Sequence, residues 1–224
     1  MSISASSGKR ESQADMRIYD ISEPISPATA VFPGDNGFTA EWVMRMADGA
    51  SCNVSTLRMS AHCGSHSDAP LHYSETGADA ASMDLQPYLG RCRVITVASV
   101  DDPPVVDAES LSGALDGVER VLLRTSQQHD AESFDPNFTA LGPAAAQRLV
   151  DAGMKLVGID AQSMDHATCK DLKSHNILRE GSVSLLENLD LSAAPDGDFE
   201  LIALPLKIVG GDAAPVRAIL RELT

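Results

Sequence analysis

The segment S-A-H-C-G-S-H-S-D-A-P-L-H-Y, residues 60–73, constrains this chain more than any other stretch. Three of the six histidines fall within 11 residues, so His62, His66, Asp68 and His72 stand at offsets of 0, 4, 6 and 10. On a helix, at about 100° per residue, His62 and His66 would lie about 40° apart but Asp68 about 240° round. Gly64 and Pro70 would break that helix in any case. An extended chain instead puts His62, Gly64, His66, Asp68 and His72 on one side, with Cys63 on the other. Gly64 is then expected to leave room between two imidazoles. Neutral imidazoles with a carboxylate are the nitrogen and oxygen donors that a borderline divalent ion such as Zn²⁺ takes without a thiolate. The plain alternative is a set of surface histidines and an aspartate that ends a strand.

One short segment closes a metal site poorly, so the remaining donors are sought elsewhere. His175 and Glu187 are the best placed. A continuous helix over the twelve residues between them would hold them about 18 Å apart, but Gly181 stops the helix and lets the chain double back. Taken alone, His175 reads as a helix-surface residue and Glu187 as a strand carboxylate. His129 and His166 read as solvent-exposed loop residues.

The rest of the chain reads as α/β, with more strand than helix. R-I-Y-D-I-S alternates from Arg17 as a half-buried strand, and Pro33-Gly34 marks a turn. The mixed pattern of Asn53 to Ser60 predicts a strand buried on both sides. Further strands are predicted at 93–97, 120–125, 155–160, 200–206 and 215–220. Gly142-Pro143 before A-A-A-Q-R-L-V-D-A-G starts a helix, which Gly153 follows. Weaker helices are predicted at 108–115 and 170–179. No repeat or linker divides the chain, so residues 16–224 are expected to form one domain behind a disordered polar extension, 1–15.

Composition removes several function classes. Seventeen Lys plus Arg against 32 Asp plus Glu leave a formal charge of −15, which repels phosphate backbones and anionic membranes. A hydrophobic fraction of 43% is enough for a full core. Cys52, Cys63, Cys92 and Cys169 form no C-x-x-C pair, and no stretch reaches the roughly 18 apolar residues of a membrane span. A cytoplasmic protein that binds neither nucleic acid nor membrane is the expectation.

H-C-G-S-H-S-D-A-P-L-H-Y resembles the H-x-G-[TS]-H-x-D-x-P-x-H signature of the metal-dependent cyclase family. Within that family the chain is similar to the bacterial kynurenine formamidases, or arylformamidases. The resemblance runs from Tyr19 to Leu220, through D-I-S-x-P-I-S-P-A-T, F-P-G-D, Y-L-G-R-C-R-V-I, R-V-L-L-R-T, L-V-G-I-D, F-E-L-I-A-L-P-L-K and D-A-A-P-V-R-A-I-L-R. It implies a swivelling β/β/α fold in a homodimer or larger homo-oligomer. It also implies two divalent ions, zinc first and Mn²⁺ as the alternative, held by His62, His66, Asp68, His175 and Glu187, with Asp68 bridging. His72 would be the catalytic proton donor and acceptor.

Four positions depart from the formamidase pattern. Phe32 stands where formamidases carry a Trp that lines the substrate pocket, and plain core packing is its alternative. Gly158 to Asp165 read G-I-D-A-Q-S-M-D in place of G-I-D-T-P-S-L-D. The usual L-E-G is Leu186-Glu187-Asn188, and the usual S-K pair is Cys169-Lys170. None of these removes a ligand. The implied activity is hydrolysis of N-formylkynurenine to kynurenine and formate by water activated on the metal, with His72 as general acid/base. The alternatives are another aryl formamide, an isatin-like cyclic amide, or a ring-closing reaction on a natural-product precursor. A metal-stapled homologue without turnover is the reading from a different class.

Overall fold

The computed structural model describes residues 16–125 and 130–223. The extension at 1–15 and His129 lie outside the described residues. In chain order the strands and helices are β1 (Ile18–Asp20), β2 (Thr39–Met44), β3 (Val54–Arg58), β4 (His66–Asp68), β5 (Leu89–Thr96), β6 (Ser99–Val100), β7 (Val105–Val106), β8 (Arg120–Arg124), β9 (Ala140–Leu141), α1 (Pro143–Asp151), β10 (Leu156–Ile159), α2 (Lys173–Glu180), β11 (Ser184–Leu186), β12 (Gly197–Ile202), β13 (Ala213–Pro215) and β14 (Ile219–Glu222). The architecture is the strand-rich mixed α/β domain anticipated from sequence.

Seven strands form the central sheet in the order β1-β14-β12-β5-β8-β10-β11. Its β5-β8-β10-β11 half is parallel, and the β1-β14-β12-β5 half is antiparallel. Strands buried on both faces read as continuous apolar runs, as V-L-L does in β8. Val121 and Leu123 point into the core under the helices, whereas Leu122 points into the opposite core with Tyr88, Phe199 and Leu220. Helix α1 begins at Pro143, which needs no N–H partner there, and presents Ala145, Ala146 and Leu149 to the first core. Helix α2 buries Ser174, His175 and Leu178 on one face and packs against α1.

Several local expectations are corrected. The strand at β3 is exposed along its whole length, because it pairs only with β2 in a separate hairpin and neither face meets the central sheet. The helix expected at 108–115 shrinks to a 3₁₀ turn, Glu109–Leu111. The strand expected at 215–220 is two strands, β13 and β14, each in a different sheet. The stop at Gly181 is as expected, and α2 begins later than read, at Lys173.

Among the glycines of the central sheet, Gly158 has the least room for a side chain. It lies between Leu122 of β8 and Leu186 of β11, and a Cβ there would come within 2.5 Å of Leu122 Cδ2 and 2.8 Å of Leu189 Cδ1. Both leucines are wholly buried and have no free space to move into. Gly158→Ala is therefore expected to cost about 1–3 kcal/mol by overpacking. A thermal melt should show a Tm several degrees lower, and an unchanged Tm would mean that the two leucines move aside.

Candidate metal centre and active-site pocket

The site forms where the parallel half of the sheet ends, the edge at which open α/β sheets present their ligand crevice. Glu187 follows β11 directly, and Asp165 lies in the loop after β10. Strand β4 is three residues long, yet both of its edges are held. On one side it pairs with β13, Asp68 opposite Ala213 and His66 opposite Pro215. On the other, the backbones of His66 and Glu187 exchange two hydrogen bonds, 3.3 and 3.1 Å. Ser67 Oγ also bonds the buried Tyr88 hydroxyl at 2.7 Å, tying β4 to the core.

The six predicted residues converge, although by a different route from the one expected. Only His66–Asp68 is strand; His62 stands in a turn before it and His72 in a 3₁₀ turn after it. Gly64 does not serve to separate imidazoles. Its φ is +69°, the left-handed region that glycine enters without penalty, and a Cβ there would meet Ile25 Cγ1 at 2.9 Å. The reversal of the chain between α2 and β11 brings His175 Nε2 within 3.2 Å of Glu187 Oε1. His175 is buried against the site, so its isolated reading as a helix-surface residue fails.

The proton positions follow from the outer contacts of the rings. His66 Nδ1 lies 2.9 Å from the Gly64 carbonyl, which can only accept, so Nδ1 carries the hydrogen. His175 Nδ1 donates to Asp165 Oδ2 at 2.7 Å, and His62 Nε2 lies 3.2 Å from Asp212 Oδ2. Asp165 also accepts the backbone N–H groups of Ser174 and His175, each at 3.1 Å. Burial alone would raise the Asp165 pKa, but these bonds lower it and hold the group ionised. In each neutral ring the other nitrogen then turns a lone pair inward.

Those lone pairs meet more lone pairs. Asp68 Oδ1 is 3.0 Å from His62 Nδ1 and 3.3 Å from His66 Nε2. Asp68 Oδ2 is 3.5 Å from His175 Nε2, and Glu187 Oε2 is 3.4 Å from His66 Nε2. Asp68 Oδ1 is buried and accepts no hydrogen bond among the described residues. Donors that share one tetrahedral ion at 2.0–2.1 Å lie about 3.4 Å from each other, so the donor set fits divalent metal. Among the described residues two overlapping groups could hold an ion, His62-Asp68-His72 and His66-Asp68-Glu187, with Asp68 common to both.

Protons compete for the same atoms. Burial opposes a charge on His66, but Asp68 and Glu187 outweigh it and push the pKa up to about 10. The same balance shifts His62 and His175 upward. Burial, with the neighbouring Asp68 charge in the case of Glu187, disfavours ionisation of the two carboxyls; the imidazoles reverse this and hold both below the usual range.

A cavity of about 410 Å³ opens over these atoms. His72 stands at its side, more exposed than the other five, with its ring 4.3 Å from that of His62 and Nδ1 3.7 Å from Asp212 Oδ2. Phe32 lines the cavity and is 40% exposed, so it is not a core residue. It meets Phe134 edge to face at 5.2 Å. Asn188, just after Glu187, holds φ at +54°, a left-handed conformation that Asn tolerates better than most residues other than glycine.

Sequence reasoning missed Asp165, Asp212, Phe134, His166 and Glu23 as pocket residues. Asp165 and Asp212 fall inside motifs that had been matched, G-I-D-A-Q-S-M-D and D-A-A-P, but nothing in spacing ties either to a distant histidine. Glu23 is buried in the wall, where burial raises its pKa to about 7. His166 is not a solvent-exposed loop residue; its ring nitrogens are buried.

Known proteins resemble this chain over most of its length. A model of the Cyclase family matches residues 19–166. The kynurenine formamidase of Delftia acidovorans is 43% identical over 208 residues, covering 92% of this chain and 98% of that protein. The kynurenine formamidase of Polaromonas naphthalenivorans is 45% identical over 210 residues, 93% and 92% of the respective chains. A solved structure described as a "predicted metal-dependent hydrolase" from Bacillus stearothermophilus superposes with a TM-score of 0.78 at 28% identity, over 94% of this chain and all of that one. Isatin hydrolase A from Labrenzia aggregata shares the fold, with a TM-score of 0.76 at 19% identity over 93% of this chain and 94% of its own. With a family model spanning most of its length and relatives alike along nearly all of it, the chain belongs to the Cyclase family.

Proposed function

We propose that this chain is a metal-dependent amidohydrolase that cleaves the formamide of N-formylkynurenine to kynurenine and formate. One observation carries the reading: three imidazoles have their outer nitrogens set against acceptors and their inner ones turned on Asp68 and Glu187, while a further histidine, His72, stands beside them in the cavity. The names of relatives 43–45% identical over most of the chain support the substrate. Isatin hydrolase resembles the chain in fold alone, which gives the cyclic-amide alternative less support.

In this reading His62, His66, Asp68, His175 and Glu187 would hold two divalent ions, zinc first and manganese as the alternative. Bound there, such ions would supply an acidified water and polarisation of the formyl oxygen. His72 then exchanges a proton with the departing aryl amine, and Asp212, 3.7 Å from its Nδ1, orients the ring. Phe32 and Phe134 hold the aryl ring edge to face. Residues 16–224 work as one domain, in the cytoplasm. Assembly as a homodimer or larger homo-oligomer is supported by the β2-β3 hairpin, which exposes Trp42, Val43, Met44, Val54 and Leu57, more apolar surface on one element than a solitary chain ordinarily leaves in water.

The reading is tested first by turnover. Metal-replete protein should release formate from N-formylkynurenine, chelated protein should not, and absence of turnover by the replete protein rejects the assignment. His72→Ala should keep its metal and lose roughly 10²-fold or more in kcat; loss of metal would make His72 a ligand instead.

Metal affinity should follow the protons. Each inner nitrogen must give up a proton to bind an ion, and the carboxylates hold the His66 and His175 protons more tightly than ordinary histidines do. Affinity measured against a competing chelator should therefore fall as pH falls, by at least about tenfold between roughly pH 8 and pH 6. At fixed pH, Asp165→Asn should weaken it by about 10–100-fold. A flat profile, or an unaffected variant, would separate these histidines from the metal.

Replacing Trp42 and Leu57 together by Asp should convert the oligomer to monomer in light scattering. A wild type that is monomeric at micromolar concentration would overturn the assembly.

A further inference from the structure

The loop after β10 contributes a second residue beside Asp165. Asp165 is pinned to His175, so its neighbour His166 is carried to the wall of the same cavity. The His166 ring lies against Phe138 at 5.6 Å with a tilt of 32°. Phe138 is itself buried in the core and meets Phe134 edge to face at 6.4 Å, and Phe134 meets Phe32. Phe32, Phe134, Phe138 and His166 thus form one continuous aromatic run, and three of the four line the cavity.

His166 is the polar member at the inner end of that run. Both of its ring nitrogens are buried, and neither has a hydrogen-bond partner among the described residues. A neutral imidazole carries one donor and one acceptor, and leaving both unmade inside a protein is costly enough that such groups call for an explanation. A half-turn about Cβ–Cγ keeps the ring in the same envelope against Phe138 and moves the nitrogens to its opposite edge. Rotation about this bond has broad, roughly two-fold wells. A partner in the cavity would select that orientation.

The apolar run accommodates an aryl ring, and the imidazole at its end accommodates an oxygen attached to that ring. We propose that His166 is a specificity-determining residue, its ring N–H donating to a carbonyl oxygen borne by the aryl group beside the formamide. The assignment rests on the formamidase reading above and adds to it the residue that recognises the ortho-acyl group of the aryl formamide. A site built to bond a substrate oxygen discriminates against an analogue that lacks it, because the site's own polar group is then left unpaired.

Three substrates and two variants test this. N-formylkynurenine and 2-formamidoacetophenone carry the ring ketone, and formanilide does not. His166→Phe preserves the stacking and removes the N–H; it should raise KM about tenfold for the two ketones at nearly constant kcat, the pattern of a contact equal in ground and transition states. For formanilide it should change KM less than twofold. His166→Gln, which keeps an N–H donor, should recover part of the loss. Metal content and Tm of both variants should match wild type.

Equal losses on all three substrates, or loss of metal, would give His166 a structural role and overturn the proposal while leaving the formamidase reading intact. A loss confined to N-formylkynurenine would move the contact to the amino-acid end and overturn the ketone assignment. Failure of wild type to hydrolyse any of the three would reject the formamidase reading and this inference with it.

Discussion

The centre of this molecule is an arrangement that opposes itself. Lone pairs of His62, His66 and His175 face oxygens of Asp68 and Glu187 at 3.0–3.5 Å, and both carboxylates are buried. Groups so placed repel unless positive charge lies among them, and burial of unpaired carboxylates is costly in itself. The rest of the fold therefore has to hold atoms where, without that charge, they would not stay. That is why three residues of β4 are bonded on both edges and tied through Ser67 to a core tyrosine.

The outer contacts do the complementary work. Asp165, the Gly64 carbonyl and Asp212 each sit against the outer nitrogen of one imidazole, fixing which nitrogen is free to face inward. Such partners raise ligand basicity and set ring orientation. Asp165 draws its own stability from two backbone N–H groups at the start of α2, so the helix positions His175 twice, through its backbone and through the aspartate. Asp212 reaches both His62 and His72, and thereby couples the cluster to the histidine beside it.

The sheet supplies the stage for these contacts. Its parallel half ends where Glu187 and Asp165 begin, while its antiparallel half backs the second core with Tyr19, Cys92, Val94, Phe199, Leu201 and Leu220. The cavity is lined by acidic and imidazole groups and by Phe32, Phe134 and His166, three members of the aromatic run. A hydrolytic site needs both, one to handle charge and one to hold an apolar substrate.

Local sequence determined what depends on neighbours. Gly64 and Pro70 excluded a helix through the histidine cluster, Gly142-Pro143 opened α1, and Gly181 ended α2, because backbone sterics act within a few residues. The cluster itself announced its donors, since chance seldom places three histidines and an aspartate so close. Tertiary structure decided the rest. The strand at β3 reads in sequence as buried on both sides, yet the chain carries it away from the central sheet. His175 has a helix-surface pattern and is buried only because β11 returns beside α2. Asp165 and Asp212 acquire their roles from imidazoles 10 and 150 residues away. His166 joins an aromatic wall whose members come from three separate segments. Hydrogen bonds and ring contacts of this kind depend on distance in space, and no periodicity along the chain encodes it.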